Sequence, residues 1–146
     1  KAALELGISQ ISGASSTSVG GYVTPEKPEE NTAQFDRSDT RTLDEVLNWL
    51  LELGYIPSFC TACYREGRTG DRFMPLAKSG AIQNCCQPNA LMTLKEYLTD
   101  YAAPETKKNG EKVISEELKN IPNDNVRRIC TENLKAIEQG QRDFRF

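Results

Sequence analysis

Histidine is absent from this chain. That gap removes every Cys/His zinc site, every His-based catalytic arrangement and the two-His-one-carboxylate iron site. A second Cys-x2-Cys pair is also missing, which excludes a zinc ribbon. No apolar run approaches the length of a membrane-spanning helix, and no signal-peptide pattern opens the sequence. Internal repeats and low-complexity tracts are lacking. Neither sign of charge dominates: the net charge is −3 with acids and bases interleaved, so no basic stripe suits nucleic acid and no basic patch suits a membrane surface. There is no starting Met.

What remains is a chain of 146 residues, enough for one ordinary core. Apolar residues make up 38% and charged residues 27%, which suits a soluble globular chain rather than a disordered one. Cysteines number five. An odd count without a secretory signal points to a reducing, cytoplasmic setting in which thiols are kept for metal.

The cysteines organise the sequence. Cys60 and Cys63 form a Cys-x2-Cys pair, and Cys85 and Cys86 follow after a Gly- and charge-rich interval. Between Cys63 and Cys86 lie 22 residues. Two thiolates at the closer spacing can grip one metal or cluster from a single turn, and a remote thiolate closes the site across a loop. A four-cysteine zinc site needs a fourth thiolate. It would come from Cys85 and Cys86 together, which is strained, or from Cys130 on a distant helix. Three thiolates instead suit a four-iron cluster with one iron open to a small ligand. Neighbouring side chains point in different directions, so one of Cys85 and Cys86 is the ligand, and spacing alone leaves the choice open.

In chain order, residues 1–7 read as the end of a helix cut in mid-pattern, with Gly7 as its C-cap, so the chain is expected to be the C-terminal part of a longer polypeptide. Residues 8–15 alternate apolar and small polar side chains and read as a strand. A Gly/Ser loop and a Pro-rich connection follow, with Gln34 to Asp36 as a brief pairing candidate. Thr42 and Glu45 form a capping box. The helix behind it carries Leu43, Val46, Leu47 and Leu50 on one face, and Gly54 ends it. Arg65, Arg68 and Arg72, between the thiols, either offset cluster charge or form a solvated basic loop. Residues 73–80 read as a short helix and residues 84–88 as the return that carries the third thiol. Helices are expected at 89–101, after Pro104, and from Pro122 to Gly140. The face Val126, Ile129, Cys130, Leu134 and Ile137 makes Cys130 a buried small hydrophobe rather than a ligand. Phe144 and Phe146 are expected to dock on a neighbour outside this chain.

These residues carry a resemblance. The run from Ile11 to Thr17, then Gly20, Gly21 and Tyr22, then Gln34 to Asp36 with Ser38 and Asp39, resembles the last barrel strand and exit loop of the tyrosine-cleaving radical S-adenosylmethionine enzymes. These are 2-iminoacetate synthase and the HydG-type maturases of [FeFe]-hydrogenase. Residues 50–73, from Leu50 through the Cys-Thr-Ala-Cys pair to Phe73, resemble the C-terminal domain of the HydG type. That family carries a Cys-x2-Cys-x22-Cys motif there, which implies Cys60, Cys63 and Cys86 as cluster ligands and so favours Cys86 over Cys85.

The resemblance implies an activity for a full-length enzyme. A first [4Fe-4S] cluster and S-adenosylmethionine make a 5′-deoxyadenosyl radical, which cleaves tyrosine to p-cresol and a glycine-derived fragment. That fragment yields CO and cyanide at the auxiliary C-terminal [4Fe-4S] cluster, which holds an additional iron through a free cysteine. The product is an iron–carbonyl–cyanide unit for the hydrogenase H-cluster, and other hydrogenase maturation proteins are the implied partners. The radical-enzyme signature Cys-x3-Cys-x2-Cys is absent, as is the family's barrel His at the additional iron, and a barrel needs on the order of 200 residues or more. The chain alone is therefore expected to be inactive.

The expected architecture is a mainly α C-terminal cluster-binding domain, preceded by the last helix end and strand of a radical SAM α/β (TIM-type) barrel. Residues 1–22 would be the helix end, strand and exit loop, 23–40 a connection, and 41–146 the helical domain. The competing function is a structural zinc module that binds a partner. A dithiol redox role for Cys60 and Cys63 is disfavoured, since no thioredoxin-like strand–helix unit surrounds the pair.

Overall fold

A computed structural model describes residues 1–6, 10–15, 39–60, 65–67 and 70–146. Six α-helices occur among them: α1 (Ala2–Glu5), α2 (Leu43–Glu52), α3 (Met74–Lys78), α4 (Cys86–Asp100), α5 (Pro104–Glu117) and α6 (Asp124–Glu138). Short 3-10 turns cover Gly70–Arg72, Ala81–Asn84 and Leu118–Asn120. The chain divides into two compact units, Lys1–Val46 and Leu47–Phe146.

The first unit holds α1 and the start of α2. The helix end expected at the N-terminus is present as α1, capped at Leu6. Of the strand expected at residues 8–15, the described residues 10–15 show none. Residues 10–15 are irregular, and Ala14 has a φ of 56°, far from extended backbone. A strand exists only through a ladder with a neighbour, and no strand occurs among the described residues. Gly7, residues 16–38 with Gln34 to Asp36, Cys63 and Arg68 lie outside the described residues.

The capping box at the start of α2 is formed in full. The Thr42 backbone N–H and hydroxyl donate to Glu45 Oε2 at 2.7 and 2.8 Å, and Glu45 N–H donates to Thr42 Oγ1 at 3.3 Å. Val46, Leu47, Leu50 and Leu51 are buried, whereas Leu43 is 40% exposed. Gly54 ends the helix with φ 80°. There Tyr55 N–H reaches Leu50 O and Gly54 N–H reaches Leu51 O, the paired bonds of a Schellman motif. A Cβ-bearing residue at that φ would be strained.

The core of the second unit is a three-helix arrangement in which α4 packs on both α5 and α6. Leu91, Leu94 and Leu98 recur at helical spacing along α4 and are at most 1% exposed. They meet Val113 and Ile114 of α5, Ile121 of the linker, and Cys130, Leu134 and Ile137 of α6. Each fully buried Leu or Ile contributes about 2 kcal/mol. Gly110 sets how closely α5 approaches α4: a Cβ there would lie 2.4 Å from Leu98 Cδ1. Lys95 lies on the buried side of α4, only 4% exposed, and its Nζ donates to Glu111 Oε1 of α5 and Glu138 Oε1 of α6, both at 2.6 Å. One ammonium thus ties all three helices. Burial alone would lower the Lys95 pKa, but the two carboxylates outweigh it and hold it above its ordinary value.

Three expectations for these helices change. Helix α4 starts at Cys86 rather than Asn89, because Pro88 falls in the first turn, where its missing N–H costs no intrahelical bond. Tyr101 falls past the end of that helix and is 76% exposed. The tail docks on its own unit, with the Phe146 ring left 40% exposed. Phe144 packs against the core, and the Phe146 backbone exchanges hydrogen bonds with the Asn89 side chain. Arg142 further pins the tail through Asp100 at 2.5 and 2.9 Å.

Candidate metal centre

Cys60 ends the extended segment that follows α2. Its approach is set by Ile56, which packs on the core, by buried Pro57, and by Phe59, whose ring stacks on Tyr97 of α4 at 6.1 Å. Cys60 itself is exposed, so the segment carries its thiol to the surface. Cys63 lies outside the described residues.

Cys86 is the first residue of α4 and is partly buried. It lines a cavity of ≈ 400 Å³ together with Tyr55, Ser58, Gln83, Gln87 and Glu117. That volume falls at the lower end of the range of ligand clefts, roughly 300–1,000 Å³. The segment leading to Cys60 thus forms one wall of the cavity that Cys86 faces. Cys86 also sits at the positive end of the helix dipole, which favours anionic ligands.

Cys85 precedes the helix as its N-cap, with φ −134° and ψ −59°. Its thiol lies 3.7 Å from Ala81 O, within the preceding 3-10 turn. The two neighbouring sulfurs nevertheless approach to 3.6 Å. The expected divergence of their side chains fails because Cys85 is non-helical while Cys86 is helical, so the simple alternation of a regular element does not apply.

Cys130 is fully buried in α6, with its sulfur 4.0 Å from Pro88 O. Burial pushes its thiol pKa up to about 11. A thiol held protonated is a poor metal ligand, which agrees with its expected place in the core. Arg65 and Arg72 are exposed. Among the described residues no three Cys, Asp or Glu side chains are gathered into a metal-binding group.

Sequence reasoning missed Gln87 and Glu117. Gln87 Nε2 donates to the backbone carbonyl of Glu117 at 3.0 Å and to its Oε2 at 2.9 Å. The partners stand 30 residues apart on different helices, and no local pattern signals such a contact.

No family model matches the chain, and no curated protein matches it significantly. A solved structure does: the crystal structure of HydG, a maturase of the [FeFe]-hydrogenase, is 52% identical with a TM-score of 0.80. The chain resembles a C-terminal part of HydG. The similarity covers 98% of this chain and 30% of the HydG chain. The mainly helical second unit accordingly matches a helical part of HydG, and the barrel of a HydG-type enzyme is not shown by the described residues. No helix among those residues is long and apolar enough to cross a membrane.

Proposed function

We propose that Cys60, Cys63 and Cys86 hold an auxiliary [4Fe-4S] cluster in the C-terminal portion of a HydG-type tyrosine lyase, which matures [FeFe]-hydrogenase. The observation that carries this reading is the similarity to HydG at 52% identity across 98% of a chain that contains the three-thiol set.

The donor set fits such a group. Iron–sulfur clusters are held by cysteine thiolates. Cys86 faces a cavity at a helix N-terminus, Cys60 follows one wall of that cavity, and Cys130 is withdrawn into the core. When bound, the cluster would supply an open iron to which an additional iron attaches through a free cysteine. The residues of this chain would do the rest. The Tyr55 to Phe59 segment orients Cys60, and the start of α4 presents Cys86.

S-adenosylmethionine, a second [4Fe-4S] cluster and the cleavage of tyrosine to p-cresol and a glycine-derived fragment would belong to a barrel portion, and that fragment would yield CO and cyanide at the auxiliary cluster. Residues 1–22 would be the end of that barrel, 23–40 a connection and 41–146 the cluster domain. By itself the 146-residue chain would not cleave tyrosine. Its partners would be that barrel portion and other hydrogenase maturation proteins, in the cytoplasm, without nucleic acid or membrane.

Iron, sulfide and zinc content after anaerobic reconstitution, with an absorption spectrum, tests the reading. About four irons and four sulfides per chain with broad visible absorption are expected. One zinc and no colour would replace it with the structural zinc module.

A further inference from the structure

We infer that Gln87 is a positioning residue for Cys86, acting through a strut to the end of α5. This rests on the reading of Cys86 as a ligand. Gln87 directly follows Cys86 in the first turn of α4, and its side-chain amide makes the two bonds to Glu117 described above. Glu117 is the last residue of α5 and the N-cap of the 3-10 turn Leu118–Asn120 that follows it. The amide donates to the Glu117 carbonyl and grips the side chain of the same residue. Two bonds from one rigid, planar amide fix direction as well as distance. The first turn of α4 is therefore held from α5, which is itself anchored in the core through Val113 and Ile114.

Charge alone does not account for Glu117 at this place. A carboxylate at a helix C-terminus opposes the dipole, and Glu117 lines the same cavity as Cys86, where an anionic thiolate-bound group would repel it. Its contribution is geometric: it accepts from Gln87. Groups that orient metal ligands in this way typically alter metal retention by about 10–100-fold.

The test compares Gln87→Ala, Gln87→Glu and Glu117→Gln in the full-length protein by two readouts. The first is peptide-resolved iodoacetamide labelling of the metal-free protein, with Cys60 and buried Cys130 as internal references. The second is the rate of chelator-driven iron release from the reconstituted protein. Gln87→Ala removes both bonds. Gln87→Glu keeps the size but removes the donors. Glu117→Gln keeps an acceptor and removes only the charge.

The two Gln87 variants are expected to raise Cys86 labelling and iron release about tenfold, with Cys60 and Cys130 labelling unchanged. Glu117→Gln is expected to behave as wild type or to retain iron longer. Wild-type rates at Cys86 in both Gln87 variants would overturn the proposal. So would Cys130 labelling that rises in step, which means general loosening, or Glu117→Gln matching Gln87→Ala, which means charge rather than the strut holds the site. Failure of the cluster reading shows separately, as a wild-type protein that takes up no iron, while labelling still decides the strut.

Discussion

Two parts of the second unit are held together by different means. In α4 and α6, side chains such as Leu91, Leu94 and Ile137 are at most 1% exposed, and a single ammonium links α4, α5 and α6. Around the thiols, the turns Gly70–Arg72 and Ala81–Asn84 and the short α3 bury no residue at all. The helical trio gains its stability from apolar burial. The thiol-bearing turns bury little, so a bound metal group would supply much of their order, because ligation contributes folding free energy directly. The two regions meet at Cys86, where the trio's central helix begins inside the thiol stretch.

The largest effect that separates the regions is expected at the thiols. Cys86→Ala should abolish reconstituted iron while the metal-free far-UV circular dichroism and thermal unfolding stay close to wild type. Cys85→Ala should leave iron largely intact. The reverse pattern would move the ligand to Cys85, and loss of the trio in Cys86→Ala would break the contrast between the regions. Cys130→Ala should leave iron unchanged, and any loss of iron would remove Cys130 from the core and place it at the site.

Next in size, Leu94→Ala empties a fully buried position between the helices and should cost about 3 kcal/mol in urea unfolding. Iron bound per folded molecule should not change. If it falls, the two regions are more tightly coupled than their burial implies.

A smaller effect follows from the ammonium. The hydrogen bond and charge of Lys95 hold the Glu138 carboxyl below its ordinary value of 4.5. A carboxyl depressed on folding stabilises the folded state above its unfolded pKa, and that contribution is lost as pH falls through the lowered folded value. Thermal stability should therefore fall as pH drops below about 4.5, and Lys95→Met should flatten the part due to this link. Because Glu138 is well exposed, the difference should be modest. Identical acid profiles for the two proteins would remove the link from the account of the trio.

The smallest effect lies at the start of α6, where Asn123 Oδ1 accepts from the N–H groups of Asn125 and Val126 at 3.0 and 3.1 Å. Asn123→Ala should cost about 1 kcal/mol in urea unfolding with no change in iron. A null result would mean that water replaces the cap at no cost.

Much of the helical structure was legible because its signals are local. The spacing of Leu91, Leu94 and Leu98, the Thr42–Glu45 box and the Gly54 stop each specify structure within a few residues. The misreadings arose where a local signal had two meanings. Pro88 suggested a helix boundary, yet proline also suits a first turn. The alternation at residues 8–15 suggested a strand, yet a strand needs a partner that sequence pattern cannot supply. The aromatic tail suggested an external neighbour, because nothing local shows that Asn89 and Asp100 stand ready to receive it.

By itself, the sequence determined the helical periods, the caps of α2, the spacing of the cysteines and the resemblance to HydG, since each rests on residue type at a fixed spacing. Only the tertiary structure decided that Cys86 opens a helix onto a cavity while Cys130 is sealed away, that Gly110 brings two helices together, and that Gln87 reaches Glu117. Those features depend on residues far apart in the chain becoming neighbours, and neighbourhood across the fold is set by how the apolar faces pack, not by spacing along the backbone.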